Sequence, residues 1–276
     1  MAKPISAKTI VFAIIIIVCF TSCQQAVRES DVPQQLAPQA EKQLMKRPVF
    51  LQALEACYGQ HFSVLDTNTL RWHDGDSLLL DDGKQKNCQE LIHHADIQDQ
   101  FHYTYPKGSK MIPTDSCFDP GRIRNEPFFQ KMYGETKEAV KANLVEVAWG
   151  EERLMVNKVN GCSDSLTKVV QQLHHLPDSL KQFVFPSAGC FNYRTIKGTT
   201  RLSCHSYGIA IDINVKHAHY WRWAKNKDII KYKNAIPYAI VEVFEQYGFI
   251  WGGYWYHYDT MHFEFRPELI KYAAYE

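Results

Sequence analysis

Two short stretches gather side chains able to do chemistry together. In the first, Ser203-Cys204-His205-Ser206-Tyr207-Gly208-Ile209-Ala210-Ile211-Asp212-Ile213-Asn214, isoleucines alternate with small residues that end at a carboxylate. Period-two alternation predicts a strand over Gly208 to Asn214, with Ile209, Ile211 and Ile213 facing a core. The opposite face carries Gly208, Ala210 and Asp212, so the carboxylate stands over cleared space. His205 enters just upstream, within reach of that space. A nitrogen and an oxygen ligand over such a floor make half of a zinc site.

The second stretch is Tyr258-Asp259-Thr260-Met261-His262-Phe263-Glu264-Phe265. Alternation puts Met261, Phe263 and Phe265 on one face and leaves His262 and Glu264 on the other. His262 completes a His/Asp/His set, and a catalytic zinc keeps its fourth position for water. Asp259, at a turn three residues earlier, is placed to take a proton from that water. Either stretch alone is weak, because a single strand histidine is ordinarily a satisfied core or surface residue. Their joint presence carries the reading. His93-His94, His174-His175, His217 and His219 lack this context and read as surface residues, whereas His257 is a candidate substrate contact.

The pattern Ser-x-His-x-x-Gly-x-Ala-x-Asp at Ser203 to Asp212, followed by Asp-x-x-His at Asp259 to His262, resembles the D-alanyl-D-alanine carboxypeptidase family of zinc peptidases. That family includes VanX-type dipeptidases, VanY-type carboxypeptidases and phage L-alanyl-D-glutamate endolysins. The resemblance covers roughly Phe185 to Pro267, and Trp251-Gly252-Gly253 is similar to the endolysin branch. It implies a Hedgehog/D-Ala-D-Ala-peptidase-like zinc fold and one Zn2+ per chain held by His205, Asp212 and His262. It implies Asp259 as general base, Arg194 in Phe191-Asn192-Tyr193-Arg194 as a substrate contact, and peptidoglycan stem peptides as partners. Ser203 either binds substrate, as in the family, or caps the turn before His205.

Competing chemistries find less support. Ser165-Leu166-Thr167-Lys168 fits the Ser-x-x-Lys of serine penicillin-binding enzymes, but no Lys-Thr-Gly or Ser-x-Asn partner follows. Gly-x-Ser-x-Gly, phosphate-loop and His-Glu-x-x-His patterns are absent from the sequence. Asp74-Gly75-Asp76 with Asp81-Asp82-Gly83 suggests a calcium loop, yet Ser77 to Leu80 interrupts the alternating oxygen ligands. The non-enzymatic rival is a zinc-containing lipoprotein that binds peptidoglycan peptides without cutting them. Asp259 argues against it, since a purely structural site has no use for a base.

The elements that must position these residues are legible in outline. Turn residues Asp74-Gly75 predict a hairpin between Thr69 to His73 and Asp76 to Leu80. Helices are predicted over Glu126 to Tyr133, over Thr136 to Val145, from a Ser163 cap to Pro177, and over Ile236 to Tyr247 before Gly248. Without a regular βαβ rhythm, an α+β arrangement of helices flanking an antiparallel sheet is favoured. Residues 46–161 form an N-terminal part of unassigned role, and 162–276 a zinc peptidase catalytic domain.

The beginning of the chain reads as an address. Lys3 and Lys8 precede an apolar run from Ile10 to Phe20, too short to span a bilayer but suited to a signal peptide. Thr21-Ser22-Cys23 then resembles a lipoprotein processing site, with residues 1–22 removed and Cys23 lipidated. Residues 23–45, rich in Gln, Ala, Pro and Glu, read as a flexible tether. The expected location is the outer membrane facing the periplasm, reached through the lipid anchor. Six cysteines remain, Cys57, Cys88, Cys117, Cys162, Cys190 and Cys204, an even number that suggests disulfides in an exported chain. Cys190 with Cys204 is the expected pair, closing a short loop. The formal charge of +1 in 276 residues falls to −1 without the signal. No global field recruits nucleic acid, and recognition falls to a local site.

Overall fold

The computed structural model describes residues 47–225 and 230–276, so the signal segment, Cys23 and the tether lie outside the described residues. In chain order, α1 (Val49–Tyr58) precedes β1 (Phe62–Val64), β2 (Thr69–Trp72) and β3 (Ser77–Leu79). Then come α2 (Cys88–His94), α3 (Glu126–Tyr133), α4 (Lys137–Lys141), β4 (Leu144–Trp149) and β5 (Glu152–Asn157). After α5 (Cys162–His175) and α6 (Asp178–Lys181) follow β6 (Ala210–Asp212), α7 (Tyr238–Gln246), β7 (Phe249–Trp251), β8 (His262–Phe265) and α8 (Pro267–Tyr275). The class is α+β, but the strands divide among three small antiparallel sheets, ordered β1-β2-β3, β4-β5 and β6-β8-β7.

Local chemistry accounts for most boundaries. The β2–β3 hairpin turns at Gly75, whose φ of 100° suits glycine. Asn125 caps α3, its side chain accepting from the Phe128 N–H at 2.9 Å. α4 ends before Val145 because Leu144 and Val145 join β4, facing Asn157 and Val156 across the β4–β5 pair. The cap of α5 is Gly161 in the left-handed region, and Ser163 lies buried in the first turn. Pro237 sets the start of α7, later than the periodicity predicts.

The core is continuous across position 161. Leu166, Val169, Val170 and Leu173 of α5 are buried with Val147 and Trp149 of β4 and with Ile240 and Phe244 of α7. Each such side chain contributes on the order of 1.5–3 kcal/mol relative to exposure. The central strand β8 buries Phe263 against Phe244, ring centroids 3.8 Å apart. α1 packs on α8, tying the first described helix to the last. On this core β6 and β8 pair side by side.

Candidate active site

The antiparallel register of β6 and β8 places Asp212 directly opposite His262, and Ala210 opposite Glu264. Ile209, Ile211 and Ile213 are buried on the core side, so Asp212 turns the other way. His205 arrives on a short helical turn, Cys204–Tyr207, capped by Ser203, whose hydroxyl accepts from the His205 N–H. Gly208, at φ 68°, then bends the chain into β6. That φ favours glycine, and a Cβ there would in addition push on the Leu144 side chain, 2.6 Å away.

His205 Nε2, His262 Nδ1 and the Asp212 carboxylate form a triangle. Its sides are 3.2 Å between the imidazoles, 3.0 Å from His262 to Asp212 and 3.2 Å from His205 to Asp212. Tetrahedral zinc with bonds of ~2.0–2.1 Å needs ligand atoms about 3.3–3.4 Å apart. The outer nitrogens reveal the tautomers. His205 Nδ1 donates to the Cys190 carbonyl at 2.6 Å, and His262 Nε2 donates to Glu264 at 3.2 Å. With the outer nitrogens so engaged, the inner nitrogens are the ones left to face a shared cation, together with the Asp212 carboxylate. Burial would lower the His262 pKa, but Asp212 and Glu264 beside it raise it to about 10. The pocket demands positive charge at this point. The donor set of two imidazoles and one carboxylate fits a zinc ion with an open fourth position.

The surroundings hold those orientations. Burial works against the ionised Glu264 carboxyl, yet His262, Arg266 and Arg124 hold it down at about 2. Asp212 is likewise opposed by burial and held well below the carboxylate range by His205 and His262. Arg266, fully buried, reaches Glu264 at 3.4 Å and also pairs with Glu268, whose other oxygen accepts from Tyr58 at 2.8 Å. The N-terminal part thus buttresses the ligand set.

Asp259 sits on the turn into β8, its N–H donating to the Gly252 carbonyl at 3.0 Å. It lines the same cavity of about 400 Å3 as the three ligands. Its Oδ1 is buried and has no hydrogen-bond partner among the described residues. Burial pushes its pKa up to about 7, with His262 lowering and Asp212 raising it. A buried carboxylate with one free oxygen, poised near neutrality, is suited to proton transfer.

Arg194 and Ser203 also line this cavity. Arg194 is exposed, and Ser206 clamps its backbone, accepting from the Arg194 N–H at 2.8 Å and donating to its carbonyl at 2.6 Å. Ser203 caps the His205 turn while remaining on the cavity wall. His257, also on the wall, is held by Asp119 through its ring at 2.7 Å and its backbone N–H at 3.0 Å. In the sequence Asp119-Pro120-Gly121 reads as a turn-rich loop that braces the fold or shapes the cleft, but the hold on His257 is not visible there, because the two lie 138 positions apart. Glu264 carried a signal, sharing the ligand face of β8 with His262.

The expected Cys190–Cys204 bridge is corrected. Both are buried free thiols; Cys204 Sγ accepts from Arg124 at 2.7 Å, and Cys190 Sγ donates toward the Gly208 carbonyl at 3.8 Å. The disulfide is Cys88–Cys117, and both its residues line the cavity. Of the acidic cluster at Asp81, Asp82 and Asp96, the Lys86 ammonium is already the cation, 2.9 Å from both Asp82 and Asp96.

Residues 197–265 match the family model described as D-alanyl-D-alanine carboxypeptidase, over 69 of the 276 residues. This bears out the family resemblance over the segment containing His205, Asp212, Asp259 and His262. No curated protein and no solved structure matches the chain.

Proposed function

We propose, on the premise of this peptidase-family segment, that the protein hydrolyses amide bonds in bacterial cell-wall peptides with one zinc ion. His205, Asp212 and His262 would hold the metal, which when bound polarises a carbonyl and acidifies water. Asp259 takes a proton from the attacking water and returns it to the leaving amine. The hydroxyl thereby ends on the carbonyl carbon and the proton on nitrogen. Arg194 pairs with a carboxylate of the peptide and fixes its register. The observation that carries this reading is the convergence of two imidazole nitrogens and a carboxylate within 3.2 Å of one another, beside a buried Asp259 whose Oδ1 has no partner among the described residues. It favours a hydrolase over a binding lipoprotein of the same architecture. The export signal and Cys23 support a lipid-anchored location at the outer membrane, on the periplasmic side with its polymer.

Metal analysis and mass spectrometry of digested peptidoglycan test the proposal together. One zinc per folded chain and cleaved stem peptides are expected, with Asp259→Ala keeping the zinc and losing the products. A folded protein that takes up no zinc when supplied with it, or an Asp259→Ala variant of undiminished rate, would sink it.

A further inference from the structure

The cavity extends beyond the ligand triangle to a wall of basic side chains. Six cationic residues line it against four carboxylates, in a chain whose overall charge is only +1. Three are already answered by an acid. Arg124 and Arg201 share Glu126, and Arg122 pairs with Asp119. Lys197, Arg194 and Arg222 have no carboxylate partner among the described residues, and of these only the two guanidiniums can grip a carboxylate bidentately. They come from separate loops. Arg194 is clamped through its backbone by Ser206, whereas the Arg222 guanidinium lies over the Trp221 ring at 5.1 Å. The Arg222 Nε is buried without a hydrogen-bond partner.

Tyr220 relates both arginines to the reacting end of the cavity. Its backbone bridges that of Asp259. Its hydroxyl, pushed up by burial, lies in the combined fields of Arg222, Asp259, Arg122 and Arg194. Two guanidiniums without a carboxylate partner among the described residues therefore line the same cavity as the base. One carboxylate is satisfied by a single bidentate guanidinium, so a second arginine on another loop calls for a second anion.

We propose that this cavity selects dianionic peptides, Arg194 and Arg222 each reading a different carboxylate beside the scissile bond. The nature of that bond rests on the peptidase reading; the recognition of two carboxylates does not. Amidating either carboxylate leaves a cavity guanidinium unpaired, and a site built for a polar group discriminates strongly against its loss.

Calorimetric titration of the Asp259→Asn protein tests this with N-acetyl-L-Ala-γ-D-Glu-L-Lys-D-Ala, which carries an α-carboxylate on the glutamate and one at its end. The two mono-carboxamide counterparts complete the set. Each carboxamide is expected to bind at least tenfold more weakly than the dianion. Arg222→Gln should cancel the penalty at one carboxylate and Arg194→Gln the penalty at the other. No measurable binding of the dianion, equal affinity for all three peptides, or one variant cancelling both penalties overturns the assignment. Because binding is the readout, discrimination by a wild-type protein that never cleaves these peptides would count against the hydrolase alone. Cleavage without discrimination would count against this inference alone.

Discussion

Asp259 and His262 are three residues apart, yet their environments drive them in opposite directions. Burial raises Asp259 to about 7, while paired carboxylates hold positive charge at His262. A base works only when ionised, so turnover should be full above the Asp259 pKa and fall as pH drops through it. A bound cation favours the carboxylate and moves that limb downward. The kcat profile should therefore show an acid limb with its midpoint at or below about pH 7. Asp259→Asn should remove the limb and lower kcat by ~10²–10⁴ while zinc content is unchanged; a limb that survives in the variant assigns it to another group. Glu264 makes a separate prediction. Replacing it by Gln keeps the shape but weakens the grip on His262, and zinc affinity should fall ~10–100-fold in chelator competition. An unaltered affinity would show that the ring needs no such partner. Asp212 and His262 were legible because strand parity dictates which side chains share a face, and His205 and Asp259, both on turns, because each lies a few residues before one of those strands. Glu264 was visible on that face without a role, since the rotation of the imidazole decides which nitrogen it meets.

At the level of elements, the ligand strands are held by a relay that begins in α1. Tyr58 donates to Glu268 of α8, Glu268 pairs with Arg266, and Arg266 reaches Glu264, which receives the His262 N–H. Arg266 is entirely buried and answers two buried carboxylates. Arg266→Met should cost roughly 3–5 kcal/mol, as expected when one side of a buried charge cluster is removed. Tyr58→Phe deletes only one hydroxyl and should cost about 0.5–1.5 kcal/mol. Urea denaturation of the two variants checks the order; a Tyr58→Phe variant less stable than Arg266→Met would refute the relay. Nothing in the sequence pointed to it. The Tyr58–Glu268 contact spans 210 positions, and periodicity within α1 or α8 reports only that each has an apolar face. The hairpin at Asp74-Gly75 and the face of α5 were legible for the converse reason: neighbours in sequence determine them.

Across the whole molecule, the cavity joins segments that no local pattern connects, and the disulfide is one of the joints. Six cysteines allow fifteen pairings, and loop length gave no valid guide. The thiols of Cys190 and Cys204 are engaged with a carbonyl and a guanidinium, while Cys88 and Cys117 lie 5.6 Å apart at Cα. Their bridge ties the first residue of α2 to the loop holding Asp119, which in turn fixes His257 on the cavity wall. The ligand triangle hangs instead on β6, β8 and the Cys204–Tyr207 turn. Removing the bridge with Cys88→Ser and Cys117→Ser together should therefore separate stability and substrate affinity from metal binding. Closing a loop with a sequence separation of 29 is worth roughly 3–4 kcal/mol by chain entropy, lost in the double variant. Zinc content at 25 °C should stay at the wild-type value. KM should rise more than kcat falls, because the loosened wall positions peptide rather than the base. A double variant that loses zinc in step with activity, while still folded by circular dichroism, would show that the wall and the metal centre are one mechanical unit.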